Sequence, residues 1–334
     1  MPFRGAADGL DPDRRSGFEP CPMTENITSA ARPAPPTGGF QEIDGRRVFV
    51  RRTGSDGPAV VFLPGASSVG LDYFLVQQQV SRFTTAVVYD RGGTGYSDPL
   101  PLPRTAAAVA TELHELLHAQ DIAAPYVVVA HSLGGAYAHR FAQLHPREVA
   151  GLVWLDAFHR DWDDFMPAEA ALAAGERMAP DPAQIQQMRP ALREMYTELL
   201  AGYPEHVRLP LIDAHTSDEW LQAGFAERGN LVALAEELRA GPDIPDVPLI
   251  ALTAEGVDPA QRALTSQQTR LRIAERTLRE IGEGKRRMIA ALVSAVSHGE
   301  QRTVSGIGHS QLCFQRPDVV VQAIRDVVDR AARA

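Results

Sequence analysis

The segment Val127-Val128-Val129-Ala130-His131-Ser132-Leu133-Gly134-Gly135 limits the possible folds of this 334-residue chain more than any other. Three successive β-branched residues favour a buried strand, while the paired glycines open a helix that ends near Leu144, ahead of Pro146. The residues two before and two after Ser132 are Ala130 and Gly134. Side chains that small let strand and helix close on each other, so the backbone turns sharply at Ser132 and leaves its hydroxyl standing at the tip. A second apolar run, Val149–Leu155, reads as the next strand. Strand, helix and strand in this order imply parallel pairing through a crossover.

The same alternation extends over most of the chain. Phe40–Ile43 and Arg46–Arg52 flank Asp44-Gly45, a pair suited to the positive φ of a two-residue hairpin, so the sheet is expected to begin antiparallel. Ala59–Leu63, Thr85–Tyr89, Val247–Thr253 and Gln301–Ser305 read as further strands. Arg104–His118, residues 260–298 and Pro317–Ala332 read as helices, with Thr105 placed to cap the first. Residues 158–245 break the rhythm: they are helical in tendency, punctuated by prolines from Pro167 to Pro210, and carry no convincing strand. The expected fold class is α/β, a mostly parallel sheet flanked by helices. Residues 39–157 and 246–334 would form it, with 158–245 inserted as a helical cap. Residues 1–38, rich in Pro, Gly, Ala and charge, are expected to be a flexible tail, with Met23 an alternative start.

A serine hydroxyl attacks carbonyl carbon slowly unless a base takes its proton and donors stabilise the oxyanion that forms. Ser132 stands where such help can be assembled, and it is the expected nucleophile. Further segments, in the right order, make the chain resemble the α/β-hydrolase superfamily. Leu63-Pro64-Gly65-Ala66 looks like its oxyanion loop, Tyr89-Asp90-Arg91-Gly92-Gly93-Thr94-Gly95-Tyr96-Ser97 like its D-x-x-G-x-G-x-S loop, and Gly308-His309 like its histidine loop. The resemblance covers about residues 40–155 and 246–332. It implies that the backbone N–H groups of Leu133 and Ala66 hold the oxyanion. It also implies that Asp90, Arg91 and Asp98 are structural, with Arg91 pairing locally. Pro64 departs from the family, which often has histidine there, and alters how that loop is braced.

Ten histidines compete for the role of base. His114, His118, His139 and His145 fall on helices away from the turn, His159, His206 and His215 in the cap, and His298 before the last strand. His131 adjoins Ser132, but on a strand its side chain leaves on the side opposite its neighbours. His309 follows the last strand in a glycine-rich loop at the carboxyl edge of the sheet, where ligands bind in open α/β folds, and is the expected base. The family offers two places for the acid that orients it. One is the end of the strand after the helix that follows Ser132, Val153-Trp154-Leu155-Asp156. An unpaired carboxylate there would be costly to desolvate, which makes Asp156 the leading candidate. The other is the loop after Val247–Thr253, where Asp258 is the alternative, its structural role being a cap before Pro259.

Composition narrows the partners. With 44% hydrophobic and 22% charged residues the chain is globular, and a net charge of -9 without a basic stripe excludes nucleic acid and anionic lipid as expected ligands. Cys21 and Cys313 are too few for a disulfide framework and are not spaced for a metal, so no cofactor or metal is expected. The first residues carry acids and prolines where a secretory leader would have a basic start and an apolar run, and no apolar run approaches about 18 residues, so neither export nor a membrane span is expected and the expected location is cytoplasmic. The cap contributes Trp162, Phe165, Tyr196, Trp220 and Phe225 among other aromatic and Met residues, which suggests a small to medium hydrophobic ester or lactone as substrate. A thioesterase, a C–C bond hydrolase or a cofactor-free perhydrolase would use the same residues. A ligand receptor of hydrolase ancestry would keep the pocket and leave the serine idle.

Overall fold

A computed structural model describes residues 33–177, 180–259 and 275–333. The hairpin forms as its turn dictates: β1 (Gly39–Ile43) and β2 (Arg46–Thr53) pair antiparallel, joined through Asp44 at φ 49° and Gly45 at φ 72°. After it come β3 (Val60–Leu63), α1 (Phe74–Val80), β4 (Ala86–Tyr89), α2 (Ala106–Ala119), β5 (Tyr126–His131), α3 (Gly134–Leu144) and β6 (Val149–Leu155). Thr105 caps α2, its side chain accepting the Ala108 N–H at 3.2 Å. The chain re-enters the sheet at β7 (Leu249–Glu255) and β8 (Gly299–Ser305), giving eight strands in the order β1-β2-β4-β3-β5-β6-β7-β8. Pairing is antiparallel from β1 through β4 and parallel from there to β8.

Strands β3, β4 and β5 are buried along their whole length, and their residues alternate between two cores. Val61, Leu63, Val128 and Ala130 face one core, where α2 and α3 pack. Val60, Phe62, Val127 and Val129 face the other, where α1 packs with the C-terminal helix.

Between β6 and β7 the chain is helical and contributes no strand among the described residues. It forms α4 (Trp162–Phe165), α5 (Leu172–Glu176), α6 (Pro182–Leu199), α7 (Glu205–His215), α8 (Asp218–Ala226) and α9 (Leu231–Arg239). Polar contacts fasten this insertion to the loop before α1. His215 on α7 meets Asp72 at 2.7 Å with both side chains 2% exposed, and the Tyr203 hydroxyl donates to the Asp72 carbonyl. The charged stretch expected to be helical over 260–298 is observed as α10 (Glu275–Ser294), and residues 260–274 lie outside the described residues. Helices α11 (Leu312–Gln315) and α12 (Pro317–Ala331) close the chain. The expected tail lies outside the described residues up to position 32, as do Cys21 and Met23. Among the described residues no helix is long and apolar enough to cross a membrane.

Candidate active site

Four adjacent parallel strands in the order β3, β5, β6, β7, with β8 beyond them, bring five loops to one carboxyl edge. Ser132 leaves β5 at φ 50°, a left-handed conformation that few residues other than glycine adopt, and it persists because three backbone hydrogen bonds define the turn. Its N–H donates to Leu155 O at 3.3 Å, and its carbonyl accepts from Gly135 at 2.9 Å and from Phe158 at 2.7 Å. Gly134 is obligatory here: a Cβ on it would lie 2.1 Å from the Leu63 carbonyl oxygen, so any larger residue would push α3 off β3.

His309 sits in a short turn after β8 and lines the same cavity as Ser132. Its Nδ1 lies 2.8 Å from Asp156 Oδ2. Asp156 follows directly on β6 at φ 45°, its N–H bonded to Leu252 O at 2.8 Å and its side chain 4% exposed. Burial alone would raise the carboxyl's pKa, but the Lys285 ammonium, 2.9 Å from the same oxygen, and the His309 hydrogen bond overcome it and hold the group well below the usual range. Of the two candidate acids, Asp156 therefore meets the imidazole. Asp258 meets the backbone N–H of the next residue, Ser310, and its hydroxyl at 3.0 Å. Among the described residues the Ser132 hydroxyl makes no hydrogen bond. Such contacts are commonly long in a site without substrate and tighten when one binds.

The two amides expected to face an oxyanion, those of Leu133 and Ala66, have no acceptor among the described residues. Leu133 stands at the N-cap of α3, where the first N–H groups of a helix lack partners by construction. Arg91 braces the Ala66 loop in place of the absent histidine. Its Nη1 donates to Pro64 O at 2.7 Å and its Nη2 to Gly65 O at 3.0 Å. The expectation that Arg91 pairs locally is corrected here, because its ion partner is Glu227, just past α8, at 2.5 Å. Glu227 also accepts the Ser67 N–H at 3.2 Å. Burial works against the Arg91 cation, but Glu227 more than offsets it and keeps the guanidinium charged.

Three residues escaped the sequence reading. Lys285, on α10, is the only lysine in a chain whose 33 basic residues are otherwise arginine, a singularity that could have drawn attention to it. Arg228 lines the cavity from the insertion. His131 does not turn away from the site: its ring stacks on His309 with centroids 4.5 Å apart, and its Nε2 donates to the His309 carbonyl at 3.2 Å. Burial, and then the neighbouring His309, push its pKa down to about 3 and keep it a neutral donor.

Residues 60–323 match the model of the alpha/beta hydrolase family. An uncharacterized protein of Mycobacterium tuberculosis, Rv2715, is 33% identical over 138 residues, which is 40% of each chain. The chain spans only 15 to 40% of the length of the curated relatives it first matches. Among solved structures, Cfl2 from Burkholderia cenocepacia superposes with a TM-score of 0.65 at 20% identity, over 87% of this chain and 96% of that one. A thermophilic esterase from Thermogutta terrifontis gives 0.51 at 16% identity, over 88% and 97%. At these identities the two structures speak for the fold.

Proposed function

The chain belongs to the α/β-hydrolase family, and from that premise we propose that it hydrolyses carboxylic esters through an acyl-enzyme on Ser132. His309 is the base and Asp156 the carboxylate that orients it. In acylation His309 takes the Ser132 proton as Oγ bonds to the carbonyl carbon. The tetrahedral oxyanion, facing the Leu133 and Ala66 amides, collapses with cleavage of the C–O bond, and the proton passes to the departing alcohol. Water repeats the sequence: its proton goes to His309 and then to Ser132 Oγ as the acid departs. The insertion acts as the cap, supplying the apolar wall of the cavity from α6 and α8.

The observation that carries this reading is the His309–Asp156 contact beside the cavity that Ser132 enters from a strained turn. The nucleophile also restricts the electrophile. A serine oxygen that opened an epoxide would leave an alkyl ether, which water does not cleave, whereas an acyl-serine ester turns over. A fluorophosphonate probe should label Ser132 stoichiometrically. Ser132→Ala should abolish labelling and lower kcat on 4-nitrophenyl esters by on the order of 10⁴- to 10⁶-fold with the fold intact. Undiminished turnover by the variant, or an unlabelled wild type, would defeat the proposal.

A further inference from the structure

Among the described residues, ester cleavage leaves one charged side chain of the cavity wall unused. Arg228 contributes to the wall that faces Ser132, and among the described residues its guanidinium has neither a hydrogen bond nor an ion pair. Its ring contact is with Phe225, 5.8 Å from Cζ to the centroid. The adjacent carboxylate is committed elsewhere: Glu227 gives Oε1 to Arg91 and Oε2 to the Ser67 amide. Among the described residues the other charges near the cavity are matched, since Arg91 pairs with Glu227 and Lys285 with Asp156. No Asp or Glu lines the cavity among the described residues, and Leu192, Met195, Leu199, Leu221 and Phe314 make much of its wall apolar. The Arg228 side chain is half-buried, and that burial pushes its pKa down, with Glu227 and Tyr196 opposing, so the cation gives up part of its hydration at the cavity wall.

We propose that Arg228 binds a carboxylate of the substrate, which makes the preferred substrates esters that carry a second, free carboxylate beyond an apolar chain. The inference rests on the reading of Ser132 as the nucleophile. A carboxylate fits better than a phosphate dianion because one planar guanidinium offers two parallel donors, and no second lasting cation lines the wall among the described residues to balance a second charge. The apolar residues around it set the character of the chain between ester and acid. They also make the pairing worth more than it would be in water.

The test compares 4-nitrophenyl half-esters of glutaric, adipic and suberic acids with the same esters methyl-capped at the far carboxyl. A second arm places the carboxylate on the alcohol side, as 3-carboxyphenyl against phenyl butanoate. In the wild type, kcat/KM should favour the charged member of at least one pair by roughly 10- to 100-fold, mainly through KM. In Arg228→Met that ratio should fall to one or below, and in Arg228→Lys part of it should survive, which also serves if the Met variant folds poorly. Which arm shows the preference locates the acid on the acyl or the alcohol portion. Ser132-dependent hydrolysis with no charged preference in any pair, or a preference that persists in Arg228→Met, overturns the inference and leaves the esterase reading standing. If no ester is turned over, calorimetric titration of adipate and suberate separates the two ideas. Binding that is lost in Arg228→Met upholds the anion site without the esterase, and no binding overturns it.

Discussion

Lys285 and His309 reach the same oxygen of Asp156, so an ammonium ion shares the carboxylate that, in the proposed reaction, steadies an imidazolium. The ammonium is the leading force that holds the buried Asp156 carboxyl ionised. Lys285→Met should therefore raise the pH at which Asp156 protonates and move the acid limb of the kcat/KM profile to higher pH. An unmoved or downward-shifted limb would show that Lys285 only props α10. Asp156→Asn should lower kcat by roughly 10³- to 10⁴-fold, whereas Asp258→Asn, which disturbs contacts to Ser310, should cost less than about 10-fold. Equal losses in the two variants would exclude a special role for Asp156. Asp156 was legible because a charged residue ending an apolar strand demands a partner. Lys285 was not, because it lies 129 residues further on, and its meeting with Asp156 depends on how α10 packs against the sheet.

At the scale of elements, the Arg91–Glu227 pair is the joint between the Ala66 loop and the insertion, with both side chains 2% exposed. Arg91→Met should destabilise the protein by about 3–5 kcal/mol in urea titrations, since it strands a buried carboxylate and frees two loop carbonyls. Glu227→Leu on that background should recover a large part of the loss, although Ser67 then loses its acceptor. No recovery in the double variant would mean that the loop contacts, not the charge pairing, dominate. The hairpin, the elbow and the parallel strands were readable because each is dictated by neighbouring residues, such as Asp44-Gly45 or Ala130 and Gly134 about Ser132. The Arg91 partner is set by the path of an insertion whose helices run through Pro190 and Pro210, so its prolines mark neither every helix break nor where the helices pack.

For the whole molecule, two imidazoles buried in the neutral form couple stability to pH. Burial pushes His131 and His139 down to about 3, where the unfolded chain has about 6.5. Their contribution is complete above about pH 6.5 and is lost progressively as pH falls toward 3, because the unfolded chain takes up the protons first. The urea midpoint should accordingly drop between pH 7.5 and pH 5. His139→Leu should shallow that drop and raise the midpoint at pH 5, since both ring nitrogens of His139 are buried without a partner among the described residues. An unchanged slope would assign the acid sensitivity to other groups. The sequence indicated a sheet carrying an inserted cap, and the parallel core followed from local patterns. What it did not convey is how firmly the insertion is fastened. Glu227 gives the carboxylate that Arg91 and the Ser67 amide both require, so the insertion is not an interchangeable module. A graft from a relative would have to bring an acid to that same point in space, and this chain's substrate range should drift by changes within its own helices sooner than by exchange of the whole segment.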